Sequence, residues 1–138
     1  MSTESNEIPA QKFNIVGLNF VSLYFKDYDK AVEFYTGIFG KSEFYKEEGE
    51  KLYGIKMGST WLTIFPSEIG TEKNNNPCNT EFAVQVSTPE EVDVLYQTLL
   101  EAGCKNCMIP QDTVMYDKMR FCCVDDPFGV RIDVYCPL

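Results

Sequence analysis

The strongest constraint on this chain is that one half repeats the other. Asn19–Phe25 aligns with Thr80–Val86 at an offset of 61 residues, and the same offset sets Asp29 against Glu90, Phe34 against Leu95 and Tyr35 against Tyr96. Each copy reads as a strand, a short acidic turn and an amphipathic helix. The first helix is expected over Asp29–Phe39 and stops at Gly40, a natural exit residue. The second is expected over Thr88–Ala102, with Thr88 as N-cap, Pro89 in the first turn and Glu91 completing a capping box. Val92, Leu95, Tyr96, Leu99 and Leu100 form its apolar face. Strand-like stretches follow each helix: Ser42–Tyr45, Leu52–Met57 and Trp61–Phe65 after the first, Lys105–Ile109, Met119–Val124 and Val130–Cys136 after the second. Gly58–Pro66 matches Gly129–Pro137 at an offset of 71.

Each half is therefore β-α-β-β-β, and the fold class is α+β: two βαβββ modules with mixed sheets forming a shared cleft. Residues 1–12 are expected to be a flexible lead-in, 13–69 the first module, 70–79 a linker containing Asn74, Asn75, Asn76 and Pro77, and 80–138 the second module. The two modules make one structural domain over 13–138. A sheet with a single helix buries only one face, so the other must meet a partner or curl round a ligand.

Composition narrows what such a cleft can do. The chain has no histidine, which removes the commonest metal ligand and the commonest acid/base group near neutral pH. The net charge of −9 argues against a nucleic-acid partner, which would need clustered Lys and Arg. No apolar run reaches the length of a membrane span, and Met1–Lys12 lacks an apolar signal centre, so a cytoplasmic location is expected. The acidic run Lys46–Lys51 reads as a solvated hairpin or loop. Six cysteines fit that location as free thiols, the favoured reading. The alternatives are a zinc site from Cys104, Cys107, Cys122 and Cys123, or a redox pair. Against zinc, Cys122 and Cys123 are adjacent and must point to opposite faces of a strand.

Alternation along three strands assigns their faces. Phe20, Ser22 and Tyr24 face the cleft, with Val21, Leu23 and Phe25 behind. Glu81, Ala83 and Gln85 face it, with Phe82, Val84 and Val86 behind. Arg131, Asp133 and Tyr135 face it, with Ile132, Val134 and Cys136 behind. Trp61, Met57, Met115, Tyr116 and Met119 are either rim and floor of the cleft or ordinary core, and the segment from Ile109 to Lys118 is expected to be a loop at its border. Glu81 and Asp133 admit three readings: a general acid/base pair, carboxylates neutralised by Arg131 or Arg120, or solvated groups in an open cleft.

The ordered motifs carry a family resemblance. The segment from Leu23 to Tyr35, ending in Phe34-Tyr35, followed by Ile38-Phe39-Gly40 and by Asp126-Pro127-Phe128-Gly129 leading into Val130–Asp133, resembles the vicinal oxygen chelate superfamily over Ile15–Pro137. Its members include glyoxalases, bleomycin-resistance proteins and extradiol dioxygenases. The resemblance implies four metal-ligand positions, which fall on Phe20, Leu62 or Thr63, Glu81 and Asp133. An aromatic residue and one residue without a carboxylate in that set imply no metal and no cofactor. The resemblance also implies a homodimer with its ligand between subunits. The expected function is binding of a small organic ligand in a metal-free cleft, as in the bleomycin-resistance branch, with drug or metabolite sequestration as its purpose. The ligand-binding set is Phe20, Ser22, Tyr24, Trp61, Glu81, Gln85, Arg131, Asp133 and Tyr135, and the acidic charge favours a cationic ligand. The alternative is a lyase, isomerase or dioxygenase that uses a divalent metal or the carboxyl groups of Glu81 and Asp133.

Overall fold

The computed structural model describes residues 12–41 and 49–138. The expected strand Ser42–Tyr45 and the first half of the run Lys46–Lys51 lie outside the described residues. The first module comprises β1 (Phe20–Phe25), α1 (Tyr28–Phe39), β2 (Tyr53–Met57) and β3 (Thr60–Pro66). The second comprises β4 (Thr80–Gln85), α2 (Pro89–Glu101), β5 (Lys105–Val114), β6 (Lys118–Asp125) and β7 (Val130–Pro137). The described strands form two mixed sheets, ordered β1-β3-β2 and β4-β7-β6-β5. In both, the strand before the helix runs parallel to the last strand of its module.

Both helices form for the reasons legible in their sequence. At α2, the Thr88 hydroxyl accepts from the Glu91 amide and the Glu91 carboxylate accepts from the Thr88 amide, so the capping box is complete. At α1 the first turn has no cap from its own N-cap side chain; Asn76 of the linker serves instead. Its side-chain oxygen accepts from the Asp27 amide, and its Nδ2 donates to the Asp27 carboxylate. Gly40 ends α1 at φ 91°, a conformation that favours glycine.

One core serves both modules. Leu23, Phe25, Ala31, Tyr35, Ile55, Leu62 and Ile64 cluster with Val92, Leu99, Val124, Val130, Ile132 and Val134. The expected division of faces holds for Leu23, Phe25, Ile132, Val134 and Cys136, all buried, while Val21 is exposed on the free edge of β1. Among the described residues, a buried polar contact ties the modules. The Tyr35 hydroxyl of α1 donates to Asp126 Oδ2 at 2.5 Å, and Asp126 Oδ1 accepts from the amides of Phe128 and Val130 at 2.8 Å each. Phe34, Phe25 and Phe128 pack edge to face around it. Burial pushes the Asp126 carboxyl up, against the lowering effect of its donors. Gly129 completes this turn at φ 104°, where a side chain would strike the Pro77 carbonyl at 2.7 Å.

Three expectations are corrected by the ladders. The offset of 71 between closing strands becomes 70, because Phe20 pairs with Trp61 while its repeat mate Glu81 pairs with Arg131. The turns explain the difference: two residues join β2 to β3, and four join β6 to β7. Ile109–Lys118 is largely strand rather than loop, since β5 runs on to Val114. Pro110 is tolerated there because β5 is the edge strand and the register shifts between Met108 and Gln111. The cysteines are not all free: Cys107 and Cys123 form a disulfide between β5 and β6, whereas Cys104, Cys122 and Cys136 are buried thiols and Cys78 is exposed. That pairing also removes the zinc reading, because two of its four thiols are consumed by each other.

The Tyr35–Asp126 bond makes a prediction. Tyr35→Phe should cost about 1–3 kcal/mol by denaturant titration at pH 7, the usual range for a buried hydrogen bond to a charged acceptor. Burial, foremost, holds the Tyr35 hydroxyl above its ordinary pKa. Its contribution should therefore be complete below about pH 10 and be lost above it, and the variant should lack that alkaline component. Equal stability of the two proteins would remove this bond from the account.

Candidate functional site

The exposed faces of the two sheets carry different chemistry. On the first, the β1–β3 ladder sets Phe20 beside Trp61, Ser22 beside Thr63 and Tyr24 beside Phe65. Phe20, Trp61, Thr63 and Phe65, with Asn19, line a cavity of about 320 Å³. Tyr24 stacks on Phe65 at 5.2 Å between ring centres, and Lys56 Nζ lies 4.9 Å from the centre of the Trp61 ring. A cation over that ring face shows that its geometry suits cation–π contact. The Thr63 hydroxyl is engaged with Ser22 at 2.6 Å and with the Val21 carbonyl at 3.3 Å.

On the second sheet, β4 and β7 bring the carboxyl groups of Glu81 and Asp133 within hydrogen-bonding reach of each other. Two carboxyls can approach in this way when they share a proton. Burial, then the hydrogen bond and the negative charge of Glu81, push Asp133 up to about 7, with Arg131 acting weakly the other way. Asp133 Oδ1 is buried and has no hydrogen-bond donor among the described residues. A buried carboxylate oxygen left without a donor is costly unless something supplies one. Glu81 and Arg131, with Asn79, Thr80, Asp125 and Gly129, line a cavity of about 390 Å³.

The arginines do not neutralise this pair. Arg131 makes a two-pronged ion pair with Asp125, at 2.8 and 3.1 Å. Arg120 binds Asp93 and Asp112 instead. The salt-bridge reading of Glu81 and Asp133 is therefore corrected: across the turn from β6, Asp125 lies directly opposite Arg131 in the ladder and takes its guanidinium.

The expected ligand-binding residues are not gathered into one cavity within the chain. Phe20 and Trp61 line the aromatic cavity, and Glu81 and Arg131 the acidic one. Ser22 and Tyr24 border a third space, of about 720 Å³, against the linker. Gln85 borders a fourth and accepts from the Tyr135 hydroxyl at 3.1 Å. Met119 is fully buried and belongs to the packing, while Met115 and Tyr116 are exposed at the β5–β6 turn. Phe65 escaped the sequence reading, although alternation from Trp61 through Thr63 points to it. Asp125 and the Cys107–Cys123 pair also escaped it, because both depend on hairpin register.

With the register of the ladders, the four metal-ligand positions implied by the family resemblance fall on Phe20, Thr63, Glu81 and Asp133. They do not fit a metal ion. Phe20 has no donor atom, the Thr63 hydroxyl is spent within its own sheet, and two carboxyls in mutual contact remain.

The sequence model of the Glyoxalase/Bleomycin resistance protein/Dioxygenase superfamily matches residues 17–134. Among curated proteins none matches. Similar solved structures include a glyoxalase/bleomycin resistance protein/dioxygenase family enzyme from Burkholderia phytofirmans PsJN, at 19% identity and TM-score 0.72, covering 87% of this chain and 98% of that one. Lactoylglutathione lyase from Agrobacterium tumefaciens matches at 20% identity and TM-score 0.67, covering 89% and 95%. TioX from Micromonospora sp. ML1 matches at 19% identity and TM-score 0.68, covering 88% and 99%. At these identities the likeness is one of fold.

The acid pair predicts an unusual pH dependence. An aspartate whose folded pKa lies above its unfolded value holds its proton more tightly when folded. The stabilisation from Asp133 should be complete below about pH 4 and be lost as pH rises through about 7. Asp133→Asn should remove this component. At pH 8 it should exceed the wild type by about 1–2 kcal/mol in urea titrations, allowing for solvent screening in the open cleft. Parallel pH profiles for the two proteins would refute the assignment.

Proposed function

The chain belongs to the Glyoxalase/Bleomycin resistance protein/Dioxygenase superfamily, and from that premise we propose that it binds a small organic cation in a metal-free cleft and works by sequestration. The observation that carries this reading is Glu81 on the cavity wall with a second carboxyl, Asp133, half-buried beside it. A protonated amine or amidine at Glu81 would bring positive charge to both carboxyls in one contact. The aromatic cavity of Phe20, Trp61 and Phe65 suits the flat apolar part of such a ligand. Because the aromatic and acidic cavities lie apart within one chain, the complete site is a homodimer's, with the acidic half of one protomer facing the aromatic half of its partner. A cytoplasmic setting and a ligand of drug or metabolite size belong to the same proposal.

A second reading is favoured by the closeness of the two carboxyls. A carboxyl pair with one member near neutrality can donate and accept protons at physiological pH, as lyases and isomerases require. In that case Asp133, pushed up to about 7, would be the group that exchanges the proton. No step through a metal is derived, since the donor set does not fit one.

A calorimetric and thermal-shift panel of cationic aromatic compounds tests the leading proposal. We expect at least one compound to bind with a stoichiometry of one per chain. Asp133→Asn and Trp61→Ala should each weaken it by about tenfold or more, as the loss of a charged contact or an aromatic anchor does. A panel that leaves the melting temperature unmoved sinks sequestration. Turnover that Glu81→Gln abolishes while binding persists would establish the enzyme reading instead.

A further inference from the structure

We propose that Cys107–Cys123 is a reversible redox site in the wall of the cleft: closed as a disulfide it pins the β5–β6 hairpin beside Asp133, and opened by reduction it releases that hairpin. The two cysteines lie on neighbouring strands with their Cα atoms 5.2 Å apart, and Cys123 stands directly opposite Asp133 in the β6–β7 ladder. Opposed residues of an antiparallel pair share a face, so the bond lies on the side of the sheet that carries the acid pair.

The surroundings of the bond suit opening rather than permanent closure. β5 is the edge strand, and its register with β6 shifts on both sides of Met108, next to Cys107. Few ladder bonds hold this part of the strand once the crosslink is gone. Cys107 is partly exposed and Cys123 is buried. An incoming thiolate therefore attacks the Cys107 sulfur, and Cys123 leaves. The other thiols near the core are poor competitors. Burial pushes both Cys104 and Cys122 up to about 12, so neither is ionised enough at neutral pH to reshuffle the bond. In the proposed cytoplasmic setting, a disulfide between accessible strands is a redox couple rather than a staple.

The hairpin also reaches the cleft at its tip. Tyr116 lies beside Tyr135, whose hydroxyl donates to Gln85. When the crosslink opens, the ion pair of Arg120 with Asp112 still joins β5 to β6 and that with Asp93 still joins β6 to α2. The hairpin thus loosens without detaching. The chemistry balances: a dithiol delivers two electrons and two protons, the Sγ–Sγ bond becomes two thiols, and the dithiol leaves as its own cyclic disulfide. The consequence for ligand affinity rests on the proposed cleft function, whereas the loosening of the hairpin does not.

The test uses the full chain in excess dithiothreitol or in oxidised glutathione. Alkylation and intact mass should count two more thiols in the reduced form. Hydrogen exchange over residues 105–118 should be about tenfold faster or more in that form, because the crosslink restricts the opened hairpin. Re-oxidation should reverse it, and β1, β3 and β4 should not respond. Cys107→Ser should behave as reduced under both conditions, and the wild-type comparison stands without it if that variant misfolds. Equal thiol counts, or exchange indifferent to reduction, would overturn the proposal. Ethidium, a cationic aromatic dye, should bind the two forms with affinities differing by about fivefold or more. Equal affinity would overturn the link between redox state and cleft. If ethidium binds neither form while the hairpin still loosens, the redox site stands and the cationic-ligand reading of the cleft loses.

Discussion

Everything in this fold leans on one buried carboxylate. Asp126 receives the Tyr35 hydroxyl from the first module and two amides from the turn that launches β7 in the second. The described strands of the two sheets share no ladder, so this junction and the aromatic cluster around it set how one module sits against the other. The turn in turn fixes the start of β7, and with it the register that brings Asp133 towards Glu81. The linker takes part as well: Asn76 caps α1, and the Pro77 carbonyl fills the space that only a glycine at 129 leaves open.

The four positions that the family resemblance implied as metal ligands carry a wall at Phe20, a sheet-internal hydrogen bond at Thr63 and two neighbouring carboxyls at Glu81 and Asp133. Two like charges a hydrogen bond apart are unfavourable in a half-buried setting unless a proton or a cation sits between them. That is a different physical problem from holding a metal, and it favours ligands that bring positive charge and donors with them. The aromatic face of the other sheet adds contact area without imposing a reaction.

How much was legible in the sequence depended on the range of the interaction. Period-two alternation gave the buried rows Leu23–Phe25 and Ile132–Val134–Cys136 because that pattern is local. The capping box of Thr88 and Glu91 was legible for the same reason. Choosing Thr63 over Leu62 required knowing that one hairpin turn is two residues and the other four. Choosing Asp125 as the partner of Arg131 required the β6–β7 register. The disulfide was hidden by the register shift at Met108, which decides how Cys107 and Cys123 meet. Along these strands, composition and spacing described faces, while pairing across strands decided which side chains meet.

Glu81 and Asp133 are neighbouring carboxyls that do not make half of a metal site, and calorimetric titration of the chain with Mn²⁺, Mg²⁺ and Zn²⁺ at neutral pH tests this. No saturable binding in the micromolar range that depends on these two carboxyls is expected. A one-to-one isotherm that vanishes in Glu81→Gln and Asp133→Asn would contradict it.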